Sequence, residues 1–271
     1  MAIEQKIKYI GKCPKCELNY IKENENLCSV CSRKRFLDEW DSNDNIDLQK
    51  REQKLREIEE RQKGEELQDK KEILNIMKSH GFEGFCHTAN LNNFIDIYKS
   101  GFLKSRHLLE EEGYKFEDNA NGSVIEKTSE FIKKKVRFYY RPITPTNISA
   151  YINYNQKHPV LMVFDESLIF EECVFTDGCP VSCITKVGPK LKYVKSFNWK
   201  EIFEKGPFDA CNMATRNYRN AEFLMKDKVS IKKIKTIYFK SQEDMSLAIN
   251  ELGNDERFIV NENKFYKEYV W

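Results

Sequence analysis

The sequence predicts an α+β protein, on the evidence of two patterns. Short runs rich in β-branched and aromatic residues predict strands at 85–88, 136–140, 160–164, 221–224 and 235–239. Helical segments do not follow every one of these runs, so a regular alternation of strands and helices around a parallel sheet is not indicated. A cysteine-rich segment and a highly charged segment come first. We therefore expect a zinc finger over 1–40, a charged helical connector over 41–80 and an α+β domain over 81–271.

The composition excludes several classes of protein. The chain has 271 residues, with 45 Lys and Arg against 43 Asp and Glu, so its formal net charge is +2. Its 18 Phe and 13 Tyr are too many for a disordered chain, and its 11 Gly are too few for a fibrous one. No stretch approaches the roughly 18 apolar residues that cross a membrane, and the N-terminus lacks a signal-peptide core. We expect a cytoplasmic protein with no membrane partner.

Four of the nine cysteines lie in the first 31 residues, as the C-x-x-C pairs Cys13 with Cys16 and Cys28 with Cys31. An odd number of cysteines in a cytoplasmic protein disfavours a disulfide framework, whereas this spacing is typical of a Cys₄ zinc site in a small hairpin. So short a segment buries too little apolar surface to fold without the metal. The four cysteines are therefore predicted to bind structural Zn²⁺.

The role of the finger stays open between two alternatives. Residues 1–35 contain eight Lys or Arg and four Glu, a surplus that suits a nucleic-acid backbone, but a protein-docking or purely structural ribbon fits as well. In the connector, 16 of the 25 residues from 48 to 72 are charged, with both signs interspersed at i,i+4 spacings. This pattern indicates an exposed helical spacer.

Three polar clusters in the last unit indicate a functional site. No nucleotide-binding glycine loop, zinc-protease helix or nucleophile elbow occurs in the sequence, so a dinucleotide-fold oxidoreductase and a metal hydrolase are not indicated. The clusters are His87-Thr88 at a strand end, the strand from Arg137 to Arg141 with two tyrosines, and Glu222 among apolar neighbours. Arginines suit an anion, and a buried carboxylate is costly unless it is paired or functional. Each cluster alone is more often structural, but together they favour a site.

At these clusters the sequence resembles the DarT family of NAD-dependent nucleic-acid ADP-ribosyltransferases, toxins usually encoded beside a macrodomain antitoxin. The matching pieces, in chain order, are FCHTANLNNFIDIYKSGFLKS, VRFYYRPITPTN, FTDGCPVS and RNAEFLMKDKVSIKKIKTIYF. They cover about residues 82–240. The cysteine-rich segment, the charged helix and the last thirty or so residues lie outside the resemblance.

The resemblance implies an ADP-ribosyltransferase fold, with a split β-sheet core that grips NAD. Glu222 matches the catalytic glutamate of the family. Thr176-Asp177-Gly178 matches a family loop near the site, although Cys179-Pro180 stands here where the family usually has small polar residues. The residues that match NAD-binding positions are His87, Thr88, Tyr139, Tyr140 and Arg141.

The resemblance also implies a reaction and its partners. ADP-ribose would pass from NAD to a base in single-stranded DNA with release of nicotinamide, in the toxin of a toxin–antitoxin or phage-defence system. A macrodomain-type antitoxin is the expected protein partner. RNA or a protein is the alternative acceptor, and a non-enzymatic zinc-finger nucleic-acid-binding protein is the alternative class. Whether guanine or thymine is modified is not visible in the residues.

Overall fold

The computed structural model describes residues 9–12, 20–22, 48–116, 126, 128–153, 157–206 and 212–266. Strand β1 (Tyr9–Lys12) and strand β2 (Tyr20–Lys22) form an antiparallel pair in the cysteine-rich segment. The expected zinc ligands lie outside the described residues: Cys13, Cys16, Cys28 and Cys31. The zinc finger therefore stays a prediction.

Helix α1 (Leu48–Ser79) spans the charged segment, and its environment changes along its length. Almost every side chain from residue 53 to residue 68 is exposed. Near its C-terminal end, Ile73, Leu74 and Met77 are buried in the core of the following domain. Apolar burial thus fixes one end of the helix, while the other end extends into solvent.

The described residues of the domain form nine strands: β3 (Phe85–Asn90), β4 (Phe102–Lys104), β5 (Lys135–Tyr139), β6 (Pro159–Phe164), β7 (Cys173–Phe175), β8 (Glu222–Lys226), β9 (Lys228–Ser230), β10 (Ile234–Phe239) and β11 (Phe258–Val260). Strands β4 and β9 pair with each other, and the other seven form one sheet in the order β11-β10-β6-β3-β5-β8-β7. Its neighbouring strands are antiparallel except for β10 and β11. The predicted mixed α and β architecture is confirmed, with a large sheet at its centre.

The domain's helices are α2 (Leu91–Ser100), α3 (Arg106–Glu111), α4 (Glu130–Lys133), α5 (Pro145–Ile152), α6 (Leu191–Val194), α7 (Trp199–Phe203), α8 (Met213–Tyr218) and α9 (Gln242–Leu252). Short 3₁₀ turns lie at Glu166–Phe170, Ile231–Lys233 and Glu262–Lys264. Helix α2 ends at Gly101, whose φ of 77° is left-handed, and the Ser241 hydroxyl caps α9 by accepting from the Asp244 amide at 3.1 Å. None of the described helices is long and apolar enough to span a membrane.

The sheet has two parts that are joined at one position. Strand β3 pairs with β6 along its whole length, but its described pairing with β5 is limited to Cys86 and Tyr139. Strand β5 pairs along its whole length with β8. Beyond Cys86 the two parts diverge and leave a split, which places His87 and Thr88 at its edge.

The two faces of the sheet differ in character around the split. One face carries stacked and edge-on rings, among them Phe85 and Phe223 with centroids 3.9 Å apart and Phe138 beside Phe85. These rings belong to the main core, together with the end of α1. Because side chains alternate along a strand, Tyr139 and Glu222 point to the other face. Thr88 shares that face with Tyr139 and Glu222, whereas His87 and Tyr140 alternate onto the face that carries the rings, where the His87 ring lies edge-on to Phe138.

Candidate active site

Glu222, Tyr139 and Cys86 form a row across three neighbouring strands. Tyr139 is the register partner of Cys86 on one side and of Glu222 on the other, at the position where the two parts of the sheet join. Directly paired residues of antiparallel strands point to the same face. Glu222 thus lies beside the split, and it is only 1% exposed.

Arg137 holds the Glu222 carboxylate through two hydrogen bonds. Its Nε and Nη2 donate to the two carboxylate oxygens at 2.6 Å each. Burial works against the charge on Arg137, but the carboxylate outweighs burial and raises the pKa of the guanidinium above its usual value. The Arg137 side chain is 33% exposed, so the pair opens to solvent on the arginine side. The result is a fixed ion pair with a buried carboxylate.

The backbone of Glu222 is held as firmly as its carboxylate. The Thr176 hydroxyl accepts from the Glu222 amide at 2.8 Å, and the Thr176 amide donates to the Glu222 carbonyl at 2.9 Å. The Tyr140 hydroxyl donates to the same carbonyl at 2.9 Å, and its ring packs edge-on against Trp199. Tyr140 is 1% exposed, and its contact with NAD stays a prediction. Its side chain instead supports the strand that carries Glu222.

The predicted loop from Thr176 to Gly178 packs beside Glu222. A side chain at Gly178 would clash with the Asn217 amide, so the close approach of loop and helix requires glycine. Asn217 Oδ1 accepts from the Cys179 amide at 3.1 Å. Burial, and after it the charge of Glu222, raise the pKa of the Cys179 thiol. Cys179 therefore presents a neutral, weakly nucleophilic thiol to the site.

His87 and Thr88 line the split from the β3 side. His87 Nδ1 lies 2.9 Å from the carbonyl oxygen of Arg137, and because a carbonyl only accepts, Nδ1 carries the proton. Burial lowers the pKa of His87, so the ring is neutral and its Nε2 is an acceptor. The Thr88 hydroxyl accepts from Asn147 Nδ2 at 3.3 Å.

A cavity of about 290 Å³, here called the split cavity, opens beside His87, Thr88 and Arg137. Its walls also carry cationic and aromatic side chains: Lys104, Arg106, Lys133, Lys135, Tyr114 and Phe116. Three of these cations pair with glutamates of their own segments, so the positive charge is partly neutralised. Cationic walls suit phosphate groups and rings suit a flat base, so the split cavity is chemically suited to a nucleotide.

The structure places Arg141 in a different cavity. Its Nη1 donates to the carbonyl oxygens of Ile202 at 3.0 Å and Glu204 at 2.6 Å. Burial, and after it the charge of Arg219, lower the pKa of Arg141 to about 10, so it is still charged at neutral pH. Arg141 lines a space of about 420 Å³, here called the distal cavity, whose walls do not include His87, Thr88 or Arg137. Its contact with NAD stays a prediction.

The sequence does not assign the contacts of Glu222 with Arg137, Thr176 and Tyr140. Arg137 and Arg141 are four residues apart and would share one face of a continuous strand, so pattern alone does not tell which of them meets the carboxylate. A usable signal is present nonetheless: a glutamate predicted to be buried needs a cation, and the β5 segment offers two. Choosing between them requires the register of β5 against β8, which is a non-local property.

Comparison with known proteins finds relatives of most of the domain. Residues 86–266 match a family model described as ssDNA thymidine ADP-ribosyltransferase, DarT. No curated protein sequence matches the chain. A solved structure of Thermus sp. 2.9 DarT in complex with ADP-ribosylated ssDNA aligns with a TM-score of 0.57 at 17% identity, covering 67% of this chain and 95% of that one.

Two further solved structures align similarly. Thermus sp. 2.9 DarT in complex with NAD⁺ gives a TM-score of 0.55 at 17% identity, over 67% of this chain and 96% of that one. Thermosipho africanus DarTG in complex with ADP-ribose gives 0.55 at 15% identity, over 68% of this chain and 51% of that one. At these identities the likeness establishes a shared fold.

Proposed function

The chain belongs to the DarT family, and on this premise we propose that Glu222 is the catalytic residue with which it modifies a thymidine of single-stranded DNA. Membership makes the protein an NAD-dependent ADP-ribosyltransferase that acts on single-stranded DNA. The observation that carries the residue assignment is the buried Glu222 carboxylate, fixed by Arg137 beside the split.

NAD supplies the ADP-ribosyl group: the bond from ribose to nicotinamide breaks, nicotinamide leaves with the electron pair, and a base nitrogen forms the new bond. Positive charge develops at the ribose as the old bond breaks. The Glu222 carboxylate stabilises that charge, and its fixed position avoids the cost of reorganisation. The same carboxylate accepts the proton that leaves the base nitrogen. A single strand is the natural acceptor because base nitrogens are hidden in a duplex.

Arg137 acts as a positioning residue for Glu222. Its two hydrogen bonds orient the carboxylate and place a positive charge beside it in a buried setting. In this proposal NAD occupies the split cavity, with its phosphates against the cationic wall. His87 Nε2, the Thr88 hydroxyl and the Tyr139 ring then lie at the ribose and nicotinamide end, near Glu222.

The test is transfer of label from NAD to oligonucleotides of single-base composition, followed by mass spectrometry. We expect adducts on thymidine strands with the wild-type chain, and a loss of about 100- to 1,000-fold in Glu222→Gln. Glu243→Gln, on an exposed position of α9, is the matched control and should keep full activity. Full activity in Glu222→Gln contradicts the catalytic assignment.

The same experiment separates the alternatives. Label that survives nuclease but not protease indicates a protein acceptor, and adducts confined to RNA indicate an RNA-modifying enzyme. Failure of the wild-type chain to consume NAD favours a non-enzymatic zinc-finger protein. Adducts on guanosine strands alone would retain the reaction but change the target base.

A structural zinc site forms the second part of the proposal, in a finger over 1–40 joined by a connector over 41–80 to the domain over 81–271. The support is chemical: two C-x-x-C pairs supply four thiolates, the donor set of a closed tetrahedral zinc site. Among the described residues no cluster of potential metal ligands occurs, and the four cysteines lie outside them. We expect about one zinc per chain by elemental analysis, lost in Cys28→Ser and retained in the control Cys183→Ser. A zinc-free wild-type chain would overturn the site.

The biological role we propose is that of a cytoplasmic toxin restrained by a macrodomain-type antitoxin. The support is the structural likeness to a protein named DarTG. Expression of the wild-type chain should arrest bacterial growth, and Glu222→Gln should relieve the arrest. Co-expression of a macrodomain protein that removes the adduct should rescue growth; arrest by the Glu222→Gln chain would argue against this role.

A further inference from the structure

The distal cavity is separate from the split cavity, although both touch β3 and the β5 segment. Its walls include Arg141, Arg219, Lys205, Lys264 and Phe203. At about 420 Å³ it lies within the ordinary range for pockets that hold a ligand. Nothing in the reaction proposed above uses it.

The positive charge of this cavity is incompletely neutralised by the described residues. Arg219 pairs with Glu201 at 3.1 Å, and Lys264 pairs with Glu83. Neither Arg141 nor Lys205 has a carboxylate within ion-pair distance in the described part of the chain. Arg141 is half-buried, and a guanidinium that is partly shielded from water and has no ion-pair partner gains from an incoming anion.

The unused donors of Arg141 have the geometry for phosphate. Both carbonyl contacts use Nη1, and Nε and Nη2 donate to no other described atom. These two nitrogens form the edge of a guanidinium that makes parallel hydrogen bonds to two oxygens of one phosphate. The Nη1 contacts with Ile202 and Glu204 fix the side chain, so the fork is already oriented.

We propose that the distal cavity binds a backbone phosphate of the DNA strand, next to the thymidine that is modified. This inference rests on the proposed function, in which NAD fills the split cavity. The two cavities share no lining residue, and a separate small pocket of about 20 Å³ shares Thr88 with the split cavity and Pro142 with the distal one. A DNA strand carries a further phosphate at every nucleotide, so a strand whose base lies at the split can place a neighbouring phosphate in a second cavity.

The test measures binding of the full chain, without NAD, to a fluorescent oligothymidylate of about twelve nucleotides as salt is raised from about 50 to 200 mM. Arg141→Gln should weaken binding about tenfold and reduce the slope of log K against log salt by about 0.7, the value for one phosphate contact on a single strand. Lys205→Gln should weaken binding only about threefold, because Lys205 is exposed and salt screens the attraction between its charge and the phosphate. Arg56→Gln, on the exposed part of α1, is the matched control and should bind as the wild type does.

In the transfer assay, Arg141→Gln should raise KM for the oligonucleotide and leave KM for NAD unchanged. An unchanged salt slope in both Arg141→Gln and Lys205→Gln would overturn the proposal, as would a rise in KM for NAD alone. Inorganic phosphate should compete for the wild-type site but have less effect on Arg141→Gln. If Arg141→Gln unfolds, Lys205→Gln decides the outcome. A wild-type chain that binds the strand through Arg141 but transfers nothing would refute the proposed function and leave this subsite standing.

Discussion

Two arginines four residues apart, Arg137 and Arg141, mark two cavities with different electrostatics. Arg137 makes two 2.6 Å bonds to a carboxylate that is 1% exposed. Arg141 has two carbonyl acceptors and a pKa lowered to about 10 by burial and by Arg219. The segment that faces each arginine determines its hydrogen-bond partners: β8 offers a carboxylate to Arg137, and the chain around 202–204 offers backbone carbonyls to Arg141. Arg137 belongs to a fixed ion pair, whereas Arg141 has no carboxylate within ion-pair distance among the described residues.

The largest effect that this comparison predicts is for Arg137→Met. Removing the cation leaves the Glu222 carboxylate buried and unpaired, which should lower the free energy of unfolding by about 3 kcal/mol. We take the lower end of the usual range because Arg137 is one-third exposed. Urea unfolding measures the loss, and ADP-ribose transfer should also fall because Glu222 loses its orientation.

The double variant Arg137→Met with Glu222→Gln provides the control for that prediction. It contains no unpaired buried charge, so it should regain part of the lost stability and none of the activity. Equal stability of the single and the double variant would show that the ion pair does not account for the loss.

Thr176→Val tests whether the Glu222 backbone is as firmly held as its side chain. The valine keeps the shape but removes the acceptor of the Glu222 amide. An unsatisfied buried amide should cost about 2 kcal/mol by urea unfolding. Thr176→Ser keeps the hydroxyl and should lose less than half as much; identical losses in the two variants would mean that the hydroxyl does not account for the effect.

Arg141→Met should change stability by less than about 1 kcal/mol. The variant loses two carbonyl contacts, but it also removes a half-buried charge that has no carboxylate within ion-pair distance among the described residues. Thermal unfolding of Arg141→Met and Arg137→Met measures the two losses of stability. The difference between these losses shows how differently the two arginines contribute to the folded state. Similar losses would mean that Arg141 is a structural residue.

The smallest predicted effect is a pH dependence from His87. Burial lowers the pKa of His87 in the folded chain, while the unfolded chain keeps a value of about 6.5. As pH falls below about 6.5 the unfolded state takes up the proton first, so stability falls. Between pH 7 and pH 5.5 the wild type should lose up to about 1 kcal/mol more than His87→Asn. Parallel urea midpoints for the two chains would contradict this.

Local patterns predict much of the fold and part of the site. The strand around 136–140 follows from side-chain alternation, the strand around 160–164 from a continuous apolar run, and the helix that begins after Ser241 from capping. Glu222 was predictable as a special residue because a carboxylate among apolar neighbours needs a partner.

Its partner was not predictable in the same way. Pairing of Arg137 with Glu222 depends on the antiparallel register of β5 and β8, whose residues are 85 positions apart. Burial of Tyr140 depends on the packing of Trp199, which is also distant in sequence. Sequence periodicity carries no information on such contacts, and the predicted NAD contacts of Tyr140 and Arg141 rest on the family resemblance alone.

The single pairing of Cys86 with Tyr139 has a consequence for hydrogen exchange. In an antiparallel strand every second peptide group points to the same neighbour, so beyond Cys86 some amides of β3 face the split without a described strand partner. Those amides should take up deuterium faster than the ones bonded to β6. A molecule bound in the split would slow that uptake. Deuterium uptake in β3 therefore reports occupancy of the split directly, even in a variant that has lost catalytic activity.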